Sequence, residues 1–468
     1  MRTTTDFMVL KLLTLGIGTC CFHASSFSQS PSTQPSLASH FAAGMLVVQA
    51  TEAGQTDSIG DVETGMTLES LQGMALSRNP TLVQAQAQVD AARGAALQAG
   101  LPPNPNVGYV AEQIGVNGTA GELQGGYVSQ EFVRGNKLGL SRAKYAQRVQ
   151  IAETNLAAQR QRIENDVAIR FYQALASQRL IDIHQQTVDT AQDNVLTSKE
   201  MLNMGQIGEA EVLQGEIELR RESLKLKQTS NELDQRWREL LSFVGIPCLQ
   251  PTALQGTLES EQSPLDWELA LNQLLASSPQ LVAAQQKIRH DEIVIKRELA
   301  EPIPNLTVQL TTGYNAETSQ STSGVNAGLP LPIFNRNQGT VRQARADLSR
   351  SYAEVERLQL ELTMGLAKQF RDYTSAWQHV QEYEQTMLPK ARSAVQILER
   401  SYKERRATWM SVLSAKRMLL DLETEQVDNL LAYQVADISI RGNLLMGGLT
   451  EPDAPLSGGH IDANHQPR

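Results

Sequence analysis

Cysteine is almost missing from this chain of 468 residues, which has only three. Two of them, Cys20 and Cys21, lie in the first segment, so Cys248 stands alone afterwards and no internal disulfide framework is available. Aromatic residues make up only 5%, too few for large compact cores. Ala, Gln, Leu, Glu and Arg crowd the middle of each half instead, as they do in long helices with narrow apolar seams. Clustered Lys and Arg are also lacking, and the net charge is −10, which argues against a nucleic-acid partner. The seven histidines, His23, His40, His184, His290, His379, His460 and His465, include no pair at helical ligand spacing and have no cysteine partner, so no metal site is expected. No phosphate loop, nucleophile elbow or zinc-protease motif is present. The chain therefore reads as a non-enzyme with no catalytic residue and no cofactor. Finally, no apolar run of about 20 residues follows the N-terminal segment. If the mature chain crosses a membrane, it does so with β-strands.

That N-terminal segment has the layout of a secretory signal over 1–22: Arg2, then a mostly apolar run from Phe7 to Phe22 broken by Lys11. Cys20 and Cys21 stand where a bacterial lipoprotein carries its acylated cysteine, although Gly18 and Thr19 before them fit that signal poorly. The other reading is two apolar residues removed with the signal. A Ser/Gln/Thr/Gly-rich flexible leader follows over 23–65.

What is present is a duplication. "NPTLVQAQAQV" from Asn79 returns as "SPQLVAAQQKI" from Ser278, and "PNPNV" at 103–107 returns as "PIPNL" at 302–306. Pro80 and Pro279, Pro103 and Pro302, and Pro105 and Pro304 each keep one offset, 199 (279 − 80). This period is far longer than that of a solenoid repeat, roughly 20–50 residues. The two copies are expected at 66–243 and 266–446, joined by a proline-marked linker at 244–265 and followed by a disordered tail at 447–468.

Each copy carries the same sequence of signals. Thr67 and Asp266 read as caps of short helices, and Asn79-Pro80 and Ser278-Pro279 as starts of the next ones. Proline clusters then exclude helix, and short-period alternation predicts β-hairpins at 106–133 and 305–334. In the second, Leu306, Val308 and Leu310 alternate with Thr307, Gln309 and Thr311. Long helical hairpins are predicted at 138–243 and 340–446, with returning helices ending near Phe243 and Met446. Only Gly139, Gly365 and Pro389 interrupt the outgoing rods. Val167, Ala174, Ile181, Val188, Val195 and Leu202, seven apart, predict a coiled-coil seam.

Four strands cannot close a barrel in lipid, where every strand edge needs a partner. Three chains would supply twelve, an even count within the range of outer-membrane barrels. The expected fold class is thus mainly α with a membrane β-barrel contribution: duplicated long helical hairpins plus four strands per chain, the barrel being closed by association between chains.

On these residues the chain resembles the TolC-like outer-membrane efflux proteins over about 67–446. "LPLPIFNRNQGTVRQARA" at 329–346 and "LPKARSAVQILERSYKERRATWMSVLSAKRML" at 388–419 are similar to the CzcC-like cation-efflux branch. The resemblance implies a homotrimer in outer-membrane lipid, assembling as a trimeric 12-stranded barrel, with a helical barrel (α-barrel) reaching into the periplasm, a periplasmic adaptor docking at the hairpin tips, and an inner-membrane pump, of RND type. It implies passive conduction from periplasm to exterior, with divalent metal cations favoured as cargo over drugs or other small molecules.

Candidate adaptor-docking residues are Gly205, Gly208, Glu211, Arg405, Arg406 and Thr408; the bland alternative is a permissive turn with solvated ends. Relative to the family pattern, Gly208 stands at the hydroxyl position of the first tip and Arg405 at the glycine position of the second. Ser411 and Ser414 flank Val412-Leu413 where some relatives carry aspartates, so these candidate constriction residues supply no acidic ring. Tyr109, Tyr127, Phe132, Tyr314 and Phe334 are candidates for aromatic girdles. The rival from another class is a secreted coiled-coil scaffold, which would have no use for matched apolar strand faces.

Overall fold

The computed structural model describes residues 66–112, 114, 123–259 and 264–454. The signal, the leader, Cys20, Cys21, His460 and His465 lie outside the described residues. Among the described residues the chain is mainly α with one four-stranded sheet.

The first repeat contains α1 (Leu68–Arg78), α2 (Pro80–Ala99), β1 (Asn106–Glu112), β2 (Leu123–Phe132), α3 (Lys137–Asn203) and α4 (Glu209–Val244). The second contains α5 (Trp267–Ser277), α6 (Pro279–Ala300), β3 (Leu306–Asn315), β4 (Gln320–Gly328), α7 (Gln338–Glu382), α8 (Leu388–Lys403) and α9 (Trp409–Arg441). Thr67 caps α1 by accepting from the Ser70 N–H, and Asp266 caps α5 by accepting from Leu269. Asn79 accepts from the Thr81 N–H at 3.0 Å and donates to the Phe243 carbonyl at 3.1 Å, tying α2 to the end of α4. Ser278 differs: its side chain makes no cap bond. Pro279 at the first turn removes one N–H that would need a partner, so the helix starts without it.

Helix α3 is 67 residues, on the order of 100 Å at about 1.5 Å per residue. Its counterpart is broken by a π turn, Tyr383–Met387, between α7 and α8. Pro389 explains the break. It has no N–H and its ring would strike the carbonyl four residues back, so the preceding turn widens, and the Leu388 N–H reaches Tyr383.

The expected seam is only partly the buried one. Val167, Ala174 and Val195 are buried, whereas Ile181, Val188 and Leu202 are half-buried. Ser177, His184, Ala191 and Ser198, also seven apart, are buried instead. Small side chains let neighbouring helices approach closely, which a count of apolar residues cannot register.

The main core lies where the repeats meet the segment joining them. Leu254 and Leu258 are buried among Phe171, Leu175, Trp237, Leu366 and Tyr433. Met66 and Leu254 form a parallel bridge, and the Leu265 N–H donates to the Tyr373 hydroxyl at 3.0 Å. No helix among the described residues is long and apolar enough to cross a membrane.

Two expectations are corrected at the C-terminus. Helix α9 ends at Arg441, short of Met446, because Asn443 and Leu444 turn left-handed. Residues 447–454 do not form a loose tail. Gly447 and Gly448 donate to Asp166, Asn155 donates to the Asp453 carbonyl at 2.9 Å, and Arg162 pairs with Asp453 at 2.9 Å. These buried partners could not be foreseen from a Gly/Pro-rich composition. Residues 455–468 lie outside the described residues.

Candidate conduit surfaces: the sheet and the hairpin tips

The sheet runs β1-β2-β3-β4, antiparallel throughout. The pairing of β2 with β3 joins the repeats: Val128 stands opposite Leu310. Val107 stands opposite Val128 and Val325 opposite Leu310. One apolar row, Val107, Val128, Leu310 and Val325, therefore crosses all four strands, and its members are 47–73% exposed. The adjacent row, Asn106, Ser129, Gln309 and Asn326, is polar throughout. Successive residues of a strand point to opposite faces, so one face is mainly apolar and the other mainly polar, with Val110 and Leu123 on the polar one. Phe132, Leu306, Val308 and Ala327 extend the apolar face, with Gln124 and Gln130 its exceptions. Farther along, that face turns to Thr312 and Ser323, whose hydroxyls are 3.2 Å apart.

Register also sorts the aromatic candidates. Tyr109, Phe132 and Tyr314 share the apolar face, whereas Tyr127 lies on the polar face, midway along β2, with its ring over Gly108. Phe334 lies beyond β4 and is exposed. Gly125 and Gly313 pair directly, and a Cβ on Gly125 would come within 2.1 Å of the Thr312 carbonyl oxygen. Glycine is required there by the closeness of the two backbones.

The two hairpin tips are the same turn built from different residues. At the first, Gly205 donates to the Leu202 carbonyl at 2.9 Å and Gln206 to Met201 at 2.9 Å. At the second, Arg405 donates to Tyr402 at 2.9 Å and Arg406 to Ser401 at 2.8 Å. Gly205 has φ +69°, and Arg405 takes φ 57° at the equivalent place. The returning helices open differently. Thr408 accepts from the Ser411 N–H at 3.2 Å and lies 2.9 Å from its hydroxyl. Gly208 offers no side chain, and the Glu211 carboxylate folds back over it.

Glu211, Ser411 and Ser414 are exposed, while Val212, Val412 and Leu413 are buried. Arg406 pairs with Glu404 of its own tip at 3.3 Å. Behind the second tip, the Trp409 indole donates to Asn194 of α3 at 3.1 Å, and Arg417 of α9 pairs with Glu218 of α4. These links between hairpins were missed from sequence, since no local signal marks them.

A small cavity of about 160 Å³ lies in the seam beside Arg417, lined by His184, Glu222, Lys225 and Asp421 among others. Burial, and then the Lys225 charge, lower the His184 pKa below its ordinary value. Among the described residues no group of three or more His, Cys, Asp or Glu could hold a metal ion. The two-faced sheet and the paired rods are the material of a conduit.

Comparison with known proteins agrees. The pattern of the family described as "Outer membrane efflux protein" matches twice, over residues 71–245 and 270–444. The chain is 24% identical over 355 residues to the Cobalt-zinc-cadmium resistance protein CzcC of Cupriavidus metallidurans, covering 76% of this chain and 84% of that protein. It is 25% identical over 245 residues to the Pyoverdine export outer membrane protein OpmQ of Pseudomonas putida, covering 48% of this chain and 49% of that one. The solved structure of the outer-membrane channel OprN shares the fold, with a TM-score of 0.66 at 17% identity over 82% of this chain and 91% of that one. Matched in both halves and over more than half of its length, the chain belongs to the outer membrane efflux protein family.

Proposed function

We propose that three copies of this chain form one duct in the outer membrane, the free edge of β1 on one copy pairing with the free edge of β4 on the next. The observation that carries this reading is the unbroken row Val107, Val128, Leu310 and Val325 beside the row Asn106, Ser129, Gln309 and Asn326. The first suits lipid and the second water, and a closed barrel is the one β arrangement that leaves no edge unpaired in a bilayer. The long hairpins continue the duct into the periplasm. A periplasmic adaptor docks at Gly205, Gly208, Glu211, Arg405, Arg406 and Thr408, and an inner-membrane pump of RND type supplies the energy. Ser411 and Ser414 line the periplasmic constriction.

The cargo is a divalent metal cation, which the similarity to CzcC over most of both chains supports. Small-molecule export is the second reading, favoured by the shorter match to OpmQ. Two measurements test these readings. Outer-membrane fractions extracted in detergent and cross-linked should yield trimers; a soluble monomer overturns the duct. Deleting the gene should sensitise cells to cobalt, zinc or cadmium more than to hydrophobic drugs, and the reverse ranking selects the second reading.

A further inference from the structure

The segment joining the repeats leaves a cavity of about 540 Å³ between α3, residues 254–259, the π turn, α8 and α9. That volume falls in the range of small-molecule sites, about 300–1,000 Å³. Leu175, Leu254, Leu258, Leu388 and Leu430 give it an aliphatic wall. Its charged lining is unbalanced: Asp182, Glu259, Glu384 and Glu423 stand against Arg179 and Arg392. Arg392 donates to Glu423 at 3.1 Å, which leaves Asp182, Glu259 and Glu384 against Arg179.

Gln426 lines the same cavity and is only 6% exposed. Its Nε2 donates to Glu384 at 3.3 Å, which fixes the amide, since the opposite flip would set oxygen against a carboxylate. Its Oε1 is then buried and accepts no hydrogen bond from the described residues. Burial and the nearby Glu259 charge both push the Glu384 pKa up, and a cation beside the two carboxylates would relieve that repulsion.

We infer that this cavity binds a small organic cation with an aliphatic tail, its ammonium head at Glu259 and Glu384 and its tail against Leu258, Leu388 and Leu430. A bare metal ion is a poor occupant, because no cluster of three or more metal-ligating side chains exists among the described residues. An anion would meet the acidic side. The inference goes beyond the duct reading and does not depend on it, since binding is measured without flux.

The test is calorimetric titration of the purified full chain in detergent with n-hexylammonium near neutral pH. Hexanol and hexanoate serve as neutral and anionic ligands of the same length. The expected result is saturable binding of hexylammonium alone, weakened roughly tenfold or more by Glu384→Gln and by Glu259→Gln, the scale of losing a charge-assisted hydrogen bond. Binding should also weaken as pH falls, because a proton competes for Glu384. Equal binding of hexanol, absence of saturation, or unchanged affinity in both variants each overturns the site. The three wild-type titrations stand without the variants, so a misfolded variant does not protect the idea.

Discussion

Glu218 in α4 and Arg417 in α9 form an ion pair between the two hairpins, one residue out of step with the repeat, since the tips match at an offset of 200 (405 − 205) and this pair is 199 apart (417 − 218). The pair lies within about three turns of the tips, beside the bond from Trp409 to Asn194. Both side chains are about one-third exposed, so solvent screens the pair and its share of stability should stay below about 1 kcal/mol. In the proposed duct it ties one hairpin to the other close to the periplasmic mouth. Arg417→Ala should leave the melting temperature almost unchanged and raise the open fraction of single channels in planar bilayers. The swap Glu218→Arg with Arg417→Glu should bring it back, and identical open fractions in all three would show that the pair does not hold the mouth.

The alternating rows of the sheet give a sharper contrast. Leu310→Arg places charge in the exposed apolar row, at a cost of about 2–4 kcal/mol near the middle of a bilayer. Gln309→Arg, one residue away, places the same charge on the polar face, where water solvates it. The first should fail to insert, scored as trimer recovered from membranes. The second should insert normally and shift reversal potentials toward anions. Equal loss in both would contradict a barrel with lipid on one side.

Arg405 holds a left-handed backbone that its repeat mate Gly205 takes freely. For a residue with a Cβ this conformation costs roughly 1–2 kcal/mol. Arg405→Gly should therefore stabilise the chain by about 1 kcal/mol in denaturant titrations. Because the turn is unchanged, any loss of adaptor binding in that variant is assignable to the guanidinium. A variant that keeps full adaptor affinity in pull-downs would remove Arg405 from the docking surface.

Much of this architecture was legible locally, because prolines, glycines and period-two alternation act within a few residues. The caps at Thr67 and Asp266, the first β-hairpin and the tips at 204–208 and 404–408 fall where those signals lie, whereas the second hairpin stops at Gly328 and not at 334, because Pro330 and Pro332 have no N–H for a ladder. Register between repeats was not legible, since the pairing of Val128 with Leu310 depends on how two distant hairpins meet. Nor was the seam of Ser177, His184, Ala191 and Ser198, because hydropathy does not mark a Ser or His that is buried by close helix approach. The same holds for Asp166, whose partners are backbone N–H groups at the far end of the chain.

His184 gives that seam a pH dependence. Its pKa is lowered from 6.5, by burial first and then by Lys225. Glu222 and Glu232 on α4 oppose the shift, while Arg417 and Asp421 face the same cavity from α9. A lowered folded pKa means the unfolded chain takes up the proton first. The stability contributed by neutral His184 is full above about pH 6.5 and is lost as pH falls through the folded value. Melting temperatures of the native chain should drop between neutral and mildly acidic pH more than those of His184→Gln; parallel curves would remove His184 as the cause.

Asp291 in α6 titrates in the same sense at lower pH and for a different reason. It is 1% exposed, and burial by itself would raise its pKa. Hydrogen bonds with His290 at 2.9 Å, from Lys287 at 2.8 Å and from Ser351 of α7 at 2.5 Å outweigh burial, and with the Lys287 charge they hold the carboxyl well below the usual range. The stability that ionised Asp291 supplies is therefore complete above the unfolded value, about 3.9, and disappears only as pH falls through the depressed folded value. Asp291→Asn keeps the shape but leaves Lys287 facing a neutral amide. Removing one member of a buried pair costs roughly 3–5 kcal/mol, discounted here because Lys287 is partly exposed, so about 2–3 kcal/mol is expected. The deficit should be constant from neutral pH down to about pH 5 and should narrow in stronger acid, where the native carboxyl also takes a proton. A deficit that stays the same in strong acid would mean that packing around residue 291, and not its charge, joins α6 to α7.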